Sequence, residues 1–208
     1  MSDFLRQVDE DLQKEKLKSI WNKFKFLIIS IIISLILFVI GFQYIAYEKR
    51  NQKLLTVENY FQAISQENLD NKIKELSSIE SNDKVINSFI NLKLSDMYFE
   101  KNNTDLALLS LEKVYKSDAQ PIYKNLALYK SLMYQFDKIS SDEIDNLILL
   151  YSENEDIFEF LFIELKAIKK LQEGKVKSSK NDLNLLISNN LTPNDIKVRA
   201  QKYLNIIN

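Results

Sequence analysis

The sequence predicts an all-α protein in which a single N-terminal transmembrane helix precedes a helical domain. Residues 26–47 form a run of about 22 residues without a charge. Only two glycines and two prolines occur among 208 residues, whereas sheet proteins of this size usually need many such turn residues. Beyond the uncharged run, apolar residues recur at the spacing of amphipathic helices. Together these three observations favour helices throughout the chain.

The uncharged run 26–47 is predicted to cross a membrane as one helix. The hydrocarbon core of a bilayer is spanned by roughly 20 helical residues, and a helix satisfies its own backbone hydrogen bonds in lipid. The alternative is a buried core helix. A cleaved signal peptide is disfavoured because its apolar region is shorter, at about 7–15 residues. Aromatic and basic side chains flank the run, and the predicted membrane-interface anchors are Trp21, Lys23, Lys25, Tyr44 and Tyr47.

Residues 1–25 are predicted to form an amphipathic helix on the cytoplasmic side. It is either an interfacial helix that continues into the span or a docking helix for a partner. Orientation follows from lysine and arginine near the span, because these residues favour the cytoplasmic side. Residues 48–208 are therefore expected on the opposite side. Five such residues lie shortly before the span (Lys14, Lys16, Lys18, Lys23 and Lys25) and three lie after it (Lys49, Arg50 and Lys53).

After the span, short breaks divide the chain into a series of predicted helices. Asn102 interrupts one apolar pattern, Pro121 suits the first turn of a helix, and Gly174 occupies a C-terminal cap position. Thr192 is predicted to cap the last helix, with Pro193 as its first residue. The predicted helices cover residues 52–67, 69–79, 83–101, 104–116, 121–136, 141–152, 156–172, 176–189 and 193–207.

Two pairs of these helices share a spacing of small, aromatic, turn and large apolar residues. A tetratricopeptide repeat, a helix–turn–helix unit of about 34 residues, has this pattern. We expect a degenerate tetratricopeptide-like solenoid over residues 48–208, and the alternative is an antiparallel helical bundle. The predicted packing positions are Ser95, Tyr98, Ala107 and Leu111 in one unit and Ala167, Gly174 and Leu183 in the other, where Ser179 replaces the usual alanine.

The whole layout resembles a family of ancillary subunits of the SecYEG translocon, the YfgM-like membrane proteins. The sequence Val-Asp-Glu-Asp-Leu at residues 8–12, the later Trp21, one anchor and degenerate repeats carry the resemblance. It implies a bacterial inner-membrane protein with a periplasmic repeat domain that assists protein export and periplasmic folding. The implied partners are translocon subunits, periplasmic folding factors and exporting chains. The alternative function is a cell-envelope adaptor that assembles division or wall-synthesis complexes.

The composition argues against catalysis and against a bound metal or cofactor. The chain has no histidine and no cysteine, so thiol–imidazole catalysis, Ser-His-Asp catalysis and a typical zinc site are excluded. Its paired carboxylates lie at predicted helix starts, where the helix dipole favours them. The glycine-bearing calcium-loop pattern is missing. With a net charge of −1, nothing indicates a nucleic-acid partner, and we expect a non-enzyme without cofactor or small-molecule substrate.

The candidate site is a protein-binding groove, which the tetratricopeptide resemblance implies. In such folds the first helix of each pair lines a concave surface, which can hold an extended or helical segment of another protein. The alternative is that the same side chains only pack against neighbouring helices. The candidate groove residues are Phe89, Leu92, Asp96, Phe99, Lys124, Ser131, Leu161, Glu164 and Ile168.

Charge is segregated late in the chain. Residues 137–164 contain nine acids and one lysine, and residues 166–180 contain six lysines and one acid. Such runs predict a solvated face. The alternative is a bipolar docking surface that steers a charged partner.

Overall fold

Helices account for all the regular secondary structure in the computed structural model, which describes residues 2–153 and 157–207. The prediction of an all-α chain is therefore confirmed over this range. From the second helix onward, observed and predicted ends agree within two residues, except that the predicted start at residue 156 lies outside the described residues. The helices are α1 (Ser2–Ser65), α2 (Leu69–Ser77), α3 (Lys84–Glu100), α4 (Thr104–Tyr115), α5 (Pro121–Tyr134), α6 (Ser141–Tyr151), α7 (Ile157–Gln172), α8 (Val176–Ser188) and α9 (Asn194–Ile207).

The chain divides into two compact units, and the described part of the first, residues 2–54, lies in α1. Residues 2–25 and the predicted span 26–47 lie in this one helix, which agrees with the expectation that the first helix continues into the span. By length and composition, α1 contains one segment that could cross a membrane. None of the side chains described for residues 12–54 is buried, so the alternative of a core helix within this chain is wrong. Phe38 is 71% exposed, as expected of a helix that is apolar on all sides.

Side chains that accept backbone hydrogen bonds set several helix starts in the second unit, residues 55–208. The Asp83 carboxylate accepts from the amides of Val85 and Ile86, at 2.9 and 3.0 Å, and caps α3. Ser140 caps α6 and forms a full capping box with Glu143. Ser140 and Ser141 are both suitable cap residues by type, and the hydrogen bonds show that Ser140 has this role.

The predicted start of the last helix is corrected by one residue. Thr192 does not cap α9, since its buried hydroxyl makes no hydrogen bond within the described part of the chain. Its backbone amide instead donates to Asn189 O at 3.2 Å, which places Thr192 in the preceding turn. The Pro193 carbonyl accepts the first helical hydrogen bond, from Lys197 N at 3.1 Å. Pro193 therefore occupies the cap position, and α9 begins at Asn194.

Consecutive helices pack together throughout the second unit, and the odd-numbered helices also form a row. α5 contacts α7, α7 contacts α9, and aromatic pairs join α3 to α5. The buried apolar side chains fall into three clusters among the described residues. One lies around Leu76 between the end of α1, α2 and α3, a second around Leu128 from α3 to α7, and a third around Leu186 from α7 to α9.

Two helix pairs are joined by turns with the same backbone geometry. Asn102, with φ of 59°, follows α3, and Gly174, with φ of 75°, follows α7. In the first turn, Asn102 N donates to Phe99 O and Asn103 N donates to Tyr98 O, both at 2.9 Å. The second turn repeats this pattern, with amides of Gly174 and Lys175 donating to Leu171 O and Lys170 O at 3.0 and 2.8 Å. Both turns are Schellman motifs, and they lie 72 positions apart in the sequence.

Candidate functional site

Most of the predicted packing residues are completely buried within the two helix pairs. The Ser179 hydroxyl donates to Ala167 O at 2.7 Å, so the backbones of α7 and α8 approach closely there. Tyr98 is half-buried, and Gly174 is exposed at its turn. The residues with no exposed surface are Ser95, Ala107, Leu111, Ala167, Ser179 and Leu183. These contacts set the spacing of the helices that carry the candidate groove.

On α3, the candidate groove residues Asp96 and Phe99 contact α5. The ring of Phe99 stacks on Tyr134, with centroids 3.9 Å apart and planes at 8°. Asp96 forms an ion pair with Lys130 and accepts a hydrogen bond of 2.7 Å from the Tyr134 hydroxyl. Burial, and then the Asp96 carboxylate, raise the pKa of Tyr134. Asp96 and Phe99 therefore join two helices while part of each side chain stays exposed.

On α5, the candidate residue Lys124 and its neighbour Asn125 hold the segment that follows α6. Lys124 forms an ion pair with Glu153. The buried carboxamide of Asn125 donates to Glu153 O at 2.9 Å and accepts from Glu153 N at 3.0 Å. The Asn125 side chain thus supplies both backbone hydrogen bonds of Glu153, which lies outside a helix. Sequence reasoning missed it, because one polar residue on an apolar helix face gives no sign of its partner.

On α7, the candidate residue Glu164 is 6% exposed and faces α9. Arg199 binds it in bidentate fashion, with Nε and Nη2 at 2.7 and 2.8 Å from the two carboxylate oxygens. This contact, together with Asp195, raises the pKa of the Arg199 guanidinium. A buried carboxylate is destabilising unless it is paired and hydrogen-bonded, so this interaction fixes α9 against α7.

The candidate groove residues do not form one exposed surface. Exposed positions occur only on α3, while the other helices contribute buried or half-buried side chains. This distribution favours the packing alternative for most of the set. The exposed residues are Phe89, Asp96 and Phe99, the half-buried ones are Lys124, Leu161 and Ile168, and the buried ones are Leu92, Ser131 and Glu164.

The segregated charges pair with one another across helices. Lys166 lies 2.9 Å from Asp145, and Lys175 lies 3.1 Å from Asp142. Lys169 is buried and donates to Phe136 O at 2.8 Å, while its ammonium lies 5.2 Å from the Phe136 ring centroid. Much of the lysine run therefore joins α6 and its neighbouring turns to α7 and α8. These contacts favour pairing within the helical unit over a bipolar docking surface.

Glu173 is the centre of a polar network that joins α6 and α7. It accepts from the Ser141 amide and hydroxyl, both at 2.6 Å, and pairs with Lys175 at 2.9 Å. The Ser141 hydroxyl, the Lys175 ammonium and the Ser141 amide lower the pKa of the Glu173 carboxyl to about 2. The end of α7 is thereby fixed to the start of α6.

A cavity of about 420 Å³ lies between the end of α2, α3 and α4. Sequence reasoning missed it, because it follows a face of α3 different from that of Phe89 and Phe99. Its size falls within the roughly 300–1,000 Å³ typical of ligand pockets. The sequence feature that could have indicated the cavity is a row of carboxamide and hydroxyl side chains beside apolar positions on α3. Lining residues include Ser77, Lys84, Asn87, Ser88, Asn91, Leu94, Tyr98, Leu106, Leu109, Ser110, Lys113, Ser117 and Asp118.

The predicted membrane-interface anchors lie on α1 with their side chains largely outward. Trp21, Tyr44 and Tyr47 are each more than half exposed. The ammonium groups of Lys23 and Lys25 lie 5.6 and 5.4 Å from the ring centroids of the next residue, a phenylalanine in both cases. Amphipathic and basic side chains of this kind suit the headgroup level of a bilayer.

Comparison with known proteins gives no match: no family model, no curated protein and no solved structure is similar to this chain. The resemblance to the translocon family therefore rests on sequence features alone. In the described residues, no three histidine, cysteine or acidic side chains are grouped closely enough to hold a metal ion.

Proposed function

We propose that this chain is a membrane-anchored, non-enzymatic protein-interaction module that assists secreted proteins at or near the Sec translocon. Its anchor is the uncharged run 26–47, with the N-terminus in the cytoplasm of a bacterium. Its interaction domain is a degenerate tetratricopeptide-like array in the periplasm. The partners are translocon subunits, folding factors or exporting chains.

The observation that carries the proposal is the recurrence of one helix–turn–helix geometry. The turns at Asn102 and Gly174 have the same hydrogen bonds and lie 72 positions apart, which corresponds to two steps of 36. A tetratricopeptide repeat has about 34 residues, so the observed step is about two residues longer per repeat. Stacked helix pairs provide extended surfaces whose usual ligands are segments of other proteins.

Tethering allows such a module to act with weak contacts. Proteins confined to one membrane meet at effective concentrations that for short linkers reach roughly the millimolar range. A surface of modest affinity then suffices, and tight binding in solution is not expected. The exposed side chains of Phe89 and Phe99, which are 47% and 42% accessible, are the candidate contacts on α3. Aromatic side chains are enriched in protein interfaces.

The proposal is tested by photo-crosslinking in intact membranes. A photoreactive amino acid is placed at Phe89, Phe99 or Lys124, with Asn184 on α8 as the exposed control. Glu164 is unsuitable for a probe, because its side chain is buried against Arg199. We expect translocon subunits, folding factors or exporting chains to be captured from the first three positions. Capture of division or wall-synthesis proteins instead would support the adaptor function, and capture of neither class from any surface would refute the translocon proposal.

A further inference from the structure

The cavity between α2, α3 and α4 has the features of a polypeptide-binding groove. Its walls are two antiparallel helices, with Lys84 to Tyr98 on one side and Leu106 to Ser117 on the other. At about 1.5 Å per residue, the α3 wall is about 21 Å long. An extended chain rises about 3.3 Å per residue, so about six residues match this length. The length suits a short peptide segment better than a compact metabolite.

Asn87 and Asn91 stand one helical turn apart along this groove. Asn87 Nδ2 donates to Ser81 O at 2.5 Å, and Asn91 Nδ2 donates to Asn87 O at 2.9 Å. A carboxamide has two donor hydrogens and one acceptor oxygen. Among the described residues, no donor contacts either Oδ1, so each side chain keeps one acceptor and one donor for a ligand. A peptide backbone offers the matching amide and carbonyl.

The spacing of the two carboxamides fits an extended backbone. Residues four apart on a helix are separated by about 6.0 Å along its axis, and alternate residues of an extended chain by about 6.6 Å. Asn87 and Asn91 can therefore bind one peptide unit each, at two positions of the ligand that are two residues apart. A ligand that is already helical would leave them unused, because its own backbone groups are paired internally.

The opposite end of the groove supplies an apolar surface. Leu106 and Leu109 are 38% and 48% exposed, and Leu94 and Tyr98 line the cavity beside them. Side chains of an extended chain alternate between two directions, so every second one can face this surface. At the other end Lys84 pairs with Asp118, so this pair is polar without a net charge, and Lys113 adds one positive charge to the lining.

We propose that this groove binds an extended polypeptide segment of about six residues that has apolar side chains at alternate positions. Asn87 and Asn91 hydrogen-bond its backbone, and the surface around Leu106 and Leu109 receives its apolar side chains. The site specifies the ligand class within the proposed protein-interaction function, on which the inference rests. It lies on a different face of α3 from Phe89 and Phe99.

The test uses the full chain in detergent and a fluorescent hexapeptide of alternating leucine and threonine. A second peptide has the same side chains, but its alternate backbone nitrogens are methylated and cannot donate. We expect methylation in the register that faces the asparagines to weaken binding about tenfold. The double variant Asn87→Ala/Asn91→Ala should lose a similar factor and should no longer distinguish the two peptides. Asn184→Ala on α8, an exposed asparagine outside the groove, should bind like the unmodified chain.

The proposal would be overturned if the unmodified chain bound both peptides equally in each methylation register. This comparison does not depend on whether the double variant folds. Stronger binding of a preformed helical peptide of the same composition would also overturn it. These outcomes are independent of the crosslinking test. Capture of translocon partners at Phe99 without peptide binding would refute only the groove, whereas peptide binding without those partners would refute only the location at the translocon.

Discussion

At the residue scale, the fold depends on small side chains that are completely buried and on buried polar groups that bind across helices. Ala107 and Ser179 hold corresponding places in the two helix pairs, and neither has exposed surface. The serine is compatible with this position because its hydroxyl donates to the carbonyl of the facing helix, so no buried polar group remains unpaired. The departure from the usual alanine is thus explained by one interhelical hydrogen bond.

Ala107→Leu is expected to destabilise the second unit by about 1–3 kcal/mol, because a larger side chain at a closed helix contact forces its neighbours apart. The measurement is the midpoint of urea unfolding followed by circular dichroism. Lys93→Leu on α3 is the control, since Lys93 is exposed and the same side chain there meets solvent. An unchanged midpoint for Ala107→Leu would show that α3 and α4 do not pack as described.

Glu173 predicts a pH dependence of stability. Its folded-state pKa of about 2 lies below the ordinary value of 4.5, so the carboxylate stabilises the fold above about pH 4.5. That contribution is lost as the pH falls from about 4.5 toward 2. Glu173→Gln should therefore be less stable than the unmodified chain at pH 7, and the difference should shrink toward pH 2. The measurement is the free energy of unfolding across this pH range, with the exposed Glu80→Gln as the control. A stability difference between Glu173→Gln and the unmodified chain that stayed constant with pH would contradict the network.

At the element scale, local sequence signals begin and end the helices, and contacts between helices select their partners. The turns at Asn102 and Gly174 illustrate this division. Both residues adopt the left-handed conformation, which only glycine, and to a lesser degree asparagine, enters readily. The resulting hydrogen bonds satisfy the last carbonyls of α3 and α7. Each turn then returns the chain antiparallel to the helix before it.

Gly174→Ala is expected to cost about 1–2 kcal/mol through the left-handed backbone alone. A Cβ at this position would meet no atom within 4 Å, so steric collision does not contribute. Asn102→Gly is the matched variant, because it removes a side chain from the same conformation and should leave stability nearly unchanged. Differential scanning calorimetry of the two variants measures this contrast. If Gly174→Ala and Asn102→Gly lowered the stability equally, the two turns would not be equivalent.

At the scale of the whole molecule, the chain consists of an exposed apolar helix and a helical unit with its own interior. The second unit, from Leu55 onward, contains all three clusters of buried apolar side chains. Burial of apolar surface is the main driving force of folding, so this unit has what independent folding requires. Among residues 12–54, the side chains that the structure describes include many outward-facing apolar ones and none that is buried.

A fragment from Gln52 to Asn208 should therefore fold without the anchor. Its circular dichroism spectrum should be dominated by helix, and heating should produce one cooperative transition. A second fragment that ends after α6 lacks the partners of the α7–α9 cluster and provides the comparison. A spectrum dominated by strand, or gradual melting of the complete fragment, would contradict the described interior.

The orientation of the anchor gives the last prediction. The excess of lysine and arginine before the run 26–47 predicts that the N-terminus stays in the cytoplasm. A reporter enzyme that is active only outside the cytoplasm, fused after Asn208, should be active. Exchanging Lys23 and Lys25 for glutamine should reduce this activity by weakening the bias. Activity only from a cytoplasm-specific reporter would reverse the predicted orientation.

The sequence by itself determined the class of the fold and most of the helix boundaries. Apolar periodicity, the scarcity of glycine and proline, and residues such as Gly174 act within one or two turns of the chain, so they can be recognised without knowledge of the rest. The burial of Ala107 and Ala167 could also be predicted, because a helix hairpin brings its small residues together whatever its neighbours are. The uncharged run marked the apolar helix for the same local reason.

Only the tertiary structure decided which face of each helix meets which neighbour. The sequence predicted Glu164 as a groove residue, but in the structure Arg199, 35 positions later, binds its carboxylate. Asp96 likewise contacts Tyr134 on another helix. An amphipathic pattern shows that one face is buried, but it does not name the partner, because contacts between distant segments depend on how all the helices pack. The cavity beside Asn91 has the same origin, since it lies between helices rather than in any one of them.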